Sequence, residues 1–321
     1  MLCKDATGIL RFLTRNTAVV LKGTYRRVVS GLPLAFSFNV SDRCPVGCDC
    51  YWRRQPRVKE MSDKDVFAFF LRMRRQGYLH VSMVGGEPYV RPNLLKKLAG
   101  AIPWSWLVIS GTTPLLTGLP NTTHVVSIDG GDSATHDNVR RMQGLYDRIL
   151  KNVGRARSSG YFPVIIHSTL NAVNYRQVGK IMQTWSNNGL ADGIMVSTMT
   201  PIRGAKDHDY LLSREQRVWI VDELLGLKKQ CGDFLVVSSE QIKRLHPDHT
   251  IKMTPSVCGM STLVDSFDAA GNRINQCILS EKADCKQCGC ISSAVSDDSG
   301  TSWLKSLSDS VSAIGQTISI G

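Results

Sequence analysis

Of the ten cysteines in this chain of 321 residues, eight fall in two clusters. The first holds Cys44, Cys48 and Cys50 in the stretch CPVGCDCYW, directly after an apolar run at 34–40. The second holds Cys258, Cys277, Cys285 and Cys288, with Cys290 close behind. Thiolates this dense on loops are soft ligands suited to iron–sulfur clusters or to zinc. Three ligands leave a centre with an open position where a reacting molecule can bind, whereas four close it and leave electron transfer or structural support. Cys3 and Cys231 stand apart and read as reduced thiols.

Downstream of the first cluster, polar residues sit where apolar runs end. The run 79–84 ends in Gly85-Gly86-Glu87-Pro88, the next in Ile109-Ser110-Gly111-Thr112, and the next in Ser127-Ile128-Asp129-Gly130, with His136, Asp137, Arg140 and Gly144 behind it. From about residue 34 to 204 this order resembles the radical S-adenosylmethionine (SAM) enzymes, and GGEPYVRP and SIDGGDSATHDNVRRMQG are its most specific parts. The resemblance implies that Cys44, Cys48 and Cys50 hold a [4Fe-4S] cluster whose open iron binds the amino and carboxylate groups of SAM. It implies reductive cleavage of SAM to a 5′-deoxyadenosyl radical, which takes a hydrogen atom from a substrate, with electrons from a reductant such as flavodoxin or ferredoxin.

The same resemblance assigns roles to single positions. Gly85, Gly86 and Pro88 shape a turn that, with Glu87, meets the methionine ammonium. Ser127 and Asp129 correspond to ribose contacts and Arg140 to a carboxylate partner, with Ser110 and Thr112 as further cofactor contacts. The family's usual loop separates its cysteines by three and then two residues. Here the second gap is Asp49 alone and Tyr51 fills the expected third position, so Cys50 is read as the third ligand. His167 and Asn171 are expected near the same cavity, and Ile194, Met195 and Met199 read as core residues that could also line an adenine pocket.

In the second cluster, twelve residues separate Cys258 from Gly271 and five more lead to Cys277, with a hairpin turn expected at 268–272; Cys285 and Cys288 then form a pair with a two-residue gap. This order resembles the twitch subdomain, the shortened SPASM extension, which implies a second, auxiliary [4Fe-4S] cluster on Cys258, Cys277, Cys285 and Cys288. The residue types alone fit a structural four-cysteine zinc site equally well.

Elements that could position these groups alternate along the chain. Strands are expected at 34–40, 79–84, 106–110, 124–129, 164–170 and 194–200, and helices at 63–76, 93–101, 146–159 and 174–187. Ser62 serves as an N-cap and Pro92 falls in a first helical turn, while the crossover 112–123, with Pro114, Gly118 and Pro120, is too broken for a helix. This order predicts an α/β fold, a partial (βα)6 TIM-like barrel of the radical SAM type with a small cysteine-rich β-hairpin extension. The expected divisions are a basic amphipathic segment at 1–33, the barrel at 34–230, the auxiliary-cluster region at 231–290 and a Ser/Gly-rich tail at 291–321. In that tail Trp303, Leu307, Val311, Ile314 and Ile318 recur at helical spacing.

Composition bounds the alternatives. At 42% hydrophobic the chain can bury a full core. Ten cysteines without a signal-like start point to a reducing, cytoplasmic setting and metal ligation rather than to a disulfide framework. No apolar run reaches the roughly 20 residues of a membrane span. The net charge of +12 is concentrated near the N-terminus, where basic and apolar residues interleave. A helix there is expected to pack its apolar face on the barrel; peripheral contact with an anionic membrane is the other use of such a segment. The rival function is a zinc-bearing basic protein that binds nucleic acid. The GGEP turn has no use in that role, so no stable nucleic-acid partner is expected. The substrate, whether peptide, small molecule or lipid, is not legible.

Overall fold

The computed structural model describes residues 6–48, 58–160, 163–204 and 208–295. Cys3, Cys50, Tyr51 and the helical pattern from Trp303 to Ile318 lie outside the described residues.

One sheet of eight strands organises the chain. In sequence order they are β1 (Ala35–Ser41), β2 (His80–Gly85), β3 (Trp104–Ile109), β4 (Thr122–Ser127), β5 (Val164–Leu170), β6 (Gly193–Thr198), β7 (Val264–Phe267) and β8 (Arg273–Ile274). Their order across the sheet is β6-β5-β4-β3-β2-β1-β7-β8. All neighbours run parallel except β7 and β8, which form the expected hairpin around Gly271, a residue at positive φ. The first six strands lie within two residues of the runs expected from sequence. The hairpin is not a detached appendage, because β7 continues the parallel sheet beyond β1, with Ala35 opposite Val264.

Helices connect the strands: α1 (Ala6–Val28), α2 (Asp63–Arg75), α3 (Pro92–Leu98), α4 (Ser133–Arg140), α5 (Leu145–Ser158), α6 (Val178–Asn187) and α7 (Arg214–Cys231). Ser62 caps α2 by accepting from the Asp65 amide at 3.2 Å, and Pro92 opens α3. The crossover between β3 and β4 carries no helix, as its prolines require.

Strand alternation separates the two faces of the sheet. Phe36, Phe38, Val81, Met83, Leu107, Ile109, Val126, Ile166, Ile194 and Val196 pack with the helices in one continuous core. Around Phe36 the aromatic rings meet edge-on, at 5.4 Å from Phe70 and 5.3 Å from Tyr78 between centroids. The alternate positions, among them Ser37, Asn39, Ser82, Ser127, His167 and Ser197, give the other face a polar character, and Ser37 donates to Ser266 across β1 and β7 at 2.9 Å.

Over the side chains described, from residue 16 on, helix α1 is partly outward-facing. It docks through polar groups: Arg26 donates to the Tyr78 hydroxyl at 2.7 Å and pairs with Asp265 at 3.5 Å, while Arg74 donates to Asn16 at 2.9 Å. Leu21, Tyr25, Val28 and Val29 face outward instead of packing on the barrel. Gly23 explains the geometry, since a Cβ there would lie 2.8 Å from the Gly77 carbonyl oxygen. Among the described residues no helix is long and apolar enough to cross a membrane.

A candidate cofactor site at the C-terminal ends of the strands

The turn after β2 is joined by hydrogen bonds to the segment that leaves β1. The Gly86 amide donates to the Ser41 carbonyl at 2.7 Å and the Glu87 amide to the Arg43 carbonyl at 2.9 Å. A Cβ at Gly85, whose φ is 129°, would strike the Ser41 carbonyl, and one at Gly86 would strike that of Arg43. The close approach these glycines permit is therefore between two backbone segments, one of which leads directly into Cys44.

Glu87 is buried at this junction. One carboxylate oxygen accepts from the Tyr89 amide at 3.0 Å, and the other accepts from the Ser110 amide at 2.7 Å and from the Ser110 hydroxyl. Desolvation raises its pKa, and the bonds from Ser110 and Tyr89 oppose that rise. Glu87 thus fixes the end of β3 to the turn after β2, and Pro88 begins a short 3-10 turn behind it. The Ser110 hydroxyl also lies 3.4 Å from that of Thr112. Arg91, the arginine of GGEPYVRP, donates to the carbonyls of Val40 at 3.0 Å and Met61 at 2.9 Å and pairs with Asp63 at 2.6 Å. It anchors the motif rather than facing a ligand.

Cys44 is half-buried and Cys48 buried on the loop after β1. Burial raises the Cys44 thiol; a backbone hydrogen bond at Val46 opposes this, the charges of Cys48 and Glu87 add to it, and Arg140 lowers it. The two cysteines, Glu87 and Arg140 therefore share one electrostatic environment. Gly47 lets the loop rest on the end of α4, where a Cβ would lie 2.8 Å from the Arg141 carbonyl oxygen.

Beyond β4, the Asp129 carboxylate accepts from the Thr169 amide at 2.9 Å and pairs with Arg140 at 2.7 Å. Much of the surrounding motif builds the turn. His136 Nδ1 accepts from the Asp129 amide at 3.0 Å, Asp132 caps α4 through the Thr135 amide at 2.8 Å, and Asp137 accepts from the amides of Gly144 at 2.6 Å and Tyr146 at 2.9 Å at the start of α5. Ser127 stands opposite His167 across β4 and β5. His167 in turn lies 3.0 Å from the Ser197 hydroxyl. Asn171 does not face the cavity, since its side-chain oxygen accepts from the Val173 amide at 2.9 Å within its own turn. Ile194 is core, and Met195 packs against the core.

The second cysteine set converges. Cys258, Cys277, Cys285, Cys288 and Cys290 all line one cavity together with Met260, Ile278 and Leu279. Desolvation pushes Cys277 and Cys290 up to about 12 and raises Cys258 and Cys285 in the same direction. Among the described residues no three His, Cys, Asp or Glu side chains are drawn tightly enough to hold a single metal ion. Five thiols around one apolar-walled space nevertheless fit a thiolate-ligated centre, which must displace their protons on binding. The loop bearing them is fixed to the barrel: the Thr198 amide donates to the Gly289 carbonyl at 2.8 Å, and the Ile291 amide to the Ser197 hydroxyl at 3.3 Å.

No family model matches the sequence, and no curated protein matches it. Solved structures do. The chain is similar to Streptococcus suis SuiB bound to its precursor peptide SuiA, with a TM-score of 0.62 and 15% identity over 92% of this chain and 71% of that one. Against SuiB bound to S-adenosylmethionine the TM-score is 0.60 and the identity 14%, over 77% of this chain and 61% of that one. Against native anSMEcpe with bound AdoMet and the Cp18Cys peptide the values are 0.59 and 16%, over 78% and 75%. These likenesses establish the fold. The chain shares with them a partial α/β barrel followed by a small hairpin region, and it spans 61 to 71% of SuiB in the first two comparisons.

Proposed function

We propose that this chain is a radical SAM enzyme with an auxiliary iron–sulfur centre, acting on a peptide. The observation that carries the reading is the joint between the GGEP turn and the backbone of Ser41 and Arg43, which brings a SAM-type turn, the Cys44 loop and the Asp129–Arg140 pair to one end of the sheet. Active sites of such barrels lie at that end. Cys44, Cys48 and Cys50 would hold the first cluster, which with SAM bound supplies one-electron cleavage of the sulfonium and hydrogen-atom abstraction.

The chain's own residues have positional tasks. Glu87 is fully engaged by Ser110 and Tyr89, so it holds the turn in place and leaves backbone groups of residues 85–88 to meet the amino acid part of SAM. Arg140, whose charge acts on Cys44, offers a cation for a carboxylate, and Asp129 orients it. The polar face formed by Ser127, His167 and Ser197 is suited to contact a polar backbone such as a peptide's, and burial keeps His167 neutral, with its pKa lowered to about 4. Peptide is favoured as substrate because SuiB and anSMEcpe are both seen with peptides bound. A flavodoxin- or ferredoxin-type protein would supply electrons.

Anaerobic reconstitution followed by dithionite reduction tests this reading. About eight irons per chain, from two four-iron centres, and formation of 5′-deoxyadenosine are expected. A colourless protein that retains zinc and cleaves no SAM would overturn it in favour of the zinc-bearing alternative.

A further inference from the structure

Arg217 on α7 is buried, at 4% exposure. Its Nη2 donates to the carbonyls of Met199 at 3.0 Å and Gln287 at 2.6 Å, and so ties the end of β6 to the loop that carries Cys288. Among the described residues its Nε and Nη1 have no hydrogen-bond partner. A buried guanidinium with two of its three nitrogens unsatisfied is costly unless an anion compensates its charge. The neighbouring groups that act on that charge are Cys288 and Asp284. Asp284 acts on it only through space: no ion pair joins the two among the described residues, and its oxygens accept from the Lys286 amide at 3.1 Å and the Gln287 side chain at 2.9 Å. Neutral thiols cannot offset a cation, but four thiolates around a four-iron centre carry net negative charge, which grows when the centre is reduced.

We propose that Arg217 is the built-in counter-charge of the C-terminal cysteine centre, a positioning residue that stabilises its reduced state and sets its potential. The proposal rests on the auxiliary-cluster reading. The centre's net charge and surroundings govern its potential, and a fixed cation beside it favours the added electron. The remaining described groups around the cavity, Met260, Ser261, Gln276, Ile278, Leu279, Ala283 and Ser293, are uncharged and supply no competing cation.

The test uses the full chain carrying Cys44→Ala and Cys48→Ala, so that only the C-terminal centre reports. Iron content and an anaerobic redox titration followed by electron paramagnetic resonance are measured with Arg217, with Arg217→Gln and with Arg217→Lys. With Arg217 present, about four irons are expected. Arg217→Gln is expected to keep them and shift the midpoint potential to more negative values, and Arg217→Lys to recover most of the shift because the charge returns without the fork. If Gln loses the iron and Lys retains it, the counter-charge role is likewise supported. Four irons and an unmoved potential in Arg217→Gln overturn the proposal, as does equal loss of iron in both variants, which would mark Arg217 as a structural tie alone. Absence of iron in the Arg217 parent overturns the cluster reading itself, which separates the two failures.

Discussion

Arg140 Nε lies 2.7 Å from Asp129 Oδ2 at the exit of β4, and the other oxygen of that carboxylate receives the Thr169 amide from β5. Both side chains are largely buried, at 15% and 7% exposure, so the pair is a fixed part of the site rather than a surface contact. Arg140, near the end of the motif, is thereby held by Asp129, near its start, and its charge acts on Cys44.

Arg140→Met should affect two separable quantities. It leaves Asp129 as a buried charge without its cation, for which the stability loss is on the order of 2–4 kcal/mol. If Arg140 also meets the SAM carboxylate, affinity for SAM should fall by at least roughly tenfold, equivalent to about 1.4 kcal/mol. Chemical denaturation and equilibrium binding of SAM to reconstituted protein measure each effect. Reduced stability with unchanged affinity would confine Arg140 to a structural role.

Gly86→Val should disturb the first cluster as well as SAM binding. A side chain at 86 has to displace the Arg43 carbonyl, and Arg43 adjoins Cys44. Iron in the first site should therefore fall together with 5′-deoxyadenosine formation. Gly226→Ala is the control, because at 226, within α7, a Cβ would meet open space and the backbone is ordinary helix. Intact iron with selective loss of SAM affinity in Gly86→Val would show that the glycine faces the ligand after all.

The contrast between those glycines marks where sequence reasoning stops. The β-branched run 164–170 gives β5 its boundaries, and Ser62 and Pro92 mark helix starts, because those signals are local. The ordered motifs likewise disclose the barrel and put the GGEP turn, Asp129 and Arg140 at one end of it. What Gly85 and Gly86 approach depends on a segment some forty positions earlier in the chain, and no local pattern contains that information. Helix α4 escapes notice because Ser133–Arg140 is mostly polar and is held by Asp132 and His136 rather than by an apolar stripe. Arg91 and Arg217 are not singled out by the sequence, although the fold buries them against backbone carbonyls. A motif arginine with an apolar neighbour on each side, as in Val90-Arg91-Pro92, is the one clue the sequence held.

Mild acid should destabilise the metal-free chain. Burial lowers the pKa values of His80, His136 and His167 from 6.5 to about 4 and that of His124 to about 3. Between those values and 6.5 the unfolded chain binds more protons than the folded one, so stability rises with pH there. The contribution is complete above pH 6.5 and is lost as pH falls through 4. Glu87 and Asp192, raised by desolvation, act in the opposite sense but are fewer. Denaturation midpoints should drop steadily from pH 7 to pH 4.5, and a flat profile over that range would show that these histidines are solvated.

Replacing Cys258 and Cys277 by alanine separates the two centres. The two proposed ligand sets lie on different parts of the chain, one after β1 and one around the hairpin and the segment that follows it, and the cavity lined by the second contains neither Cys44 nor Cys48. The double variant should lose about four irons and keep the other four. Because the GGEP turn, Glu87 and Arg140 are untouched, it should still form 5′-deoxyadenosine when reduced without substrate. Substrate turnover should fail if the second centre carries electrons away, and a peptide offered to the variant would then be recovered unmodified. Loss of zinc in place of iron would make the second set a structural clamp, and loss of all eight irons would mean that the loop holding Gly289 against Thr198 is needed to keep the barrel itself together.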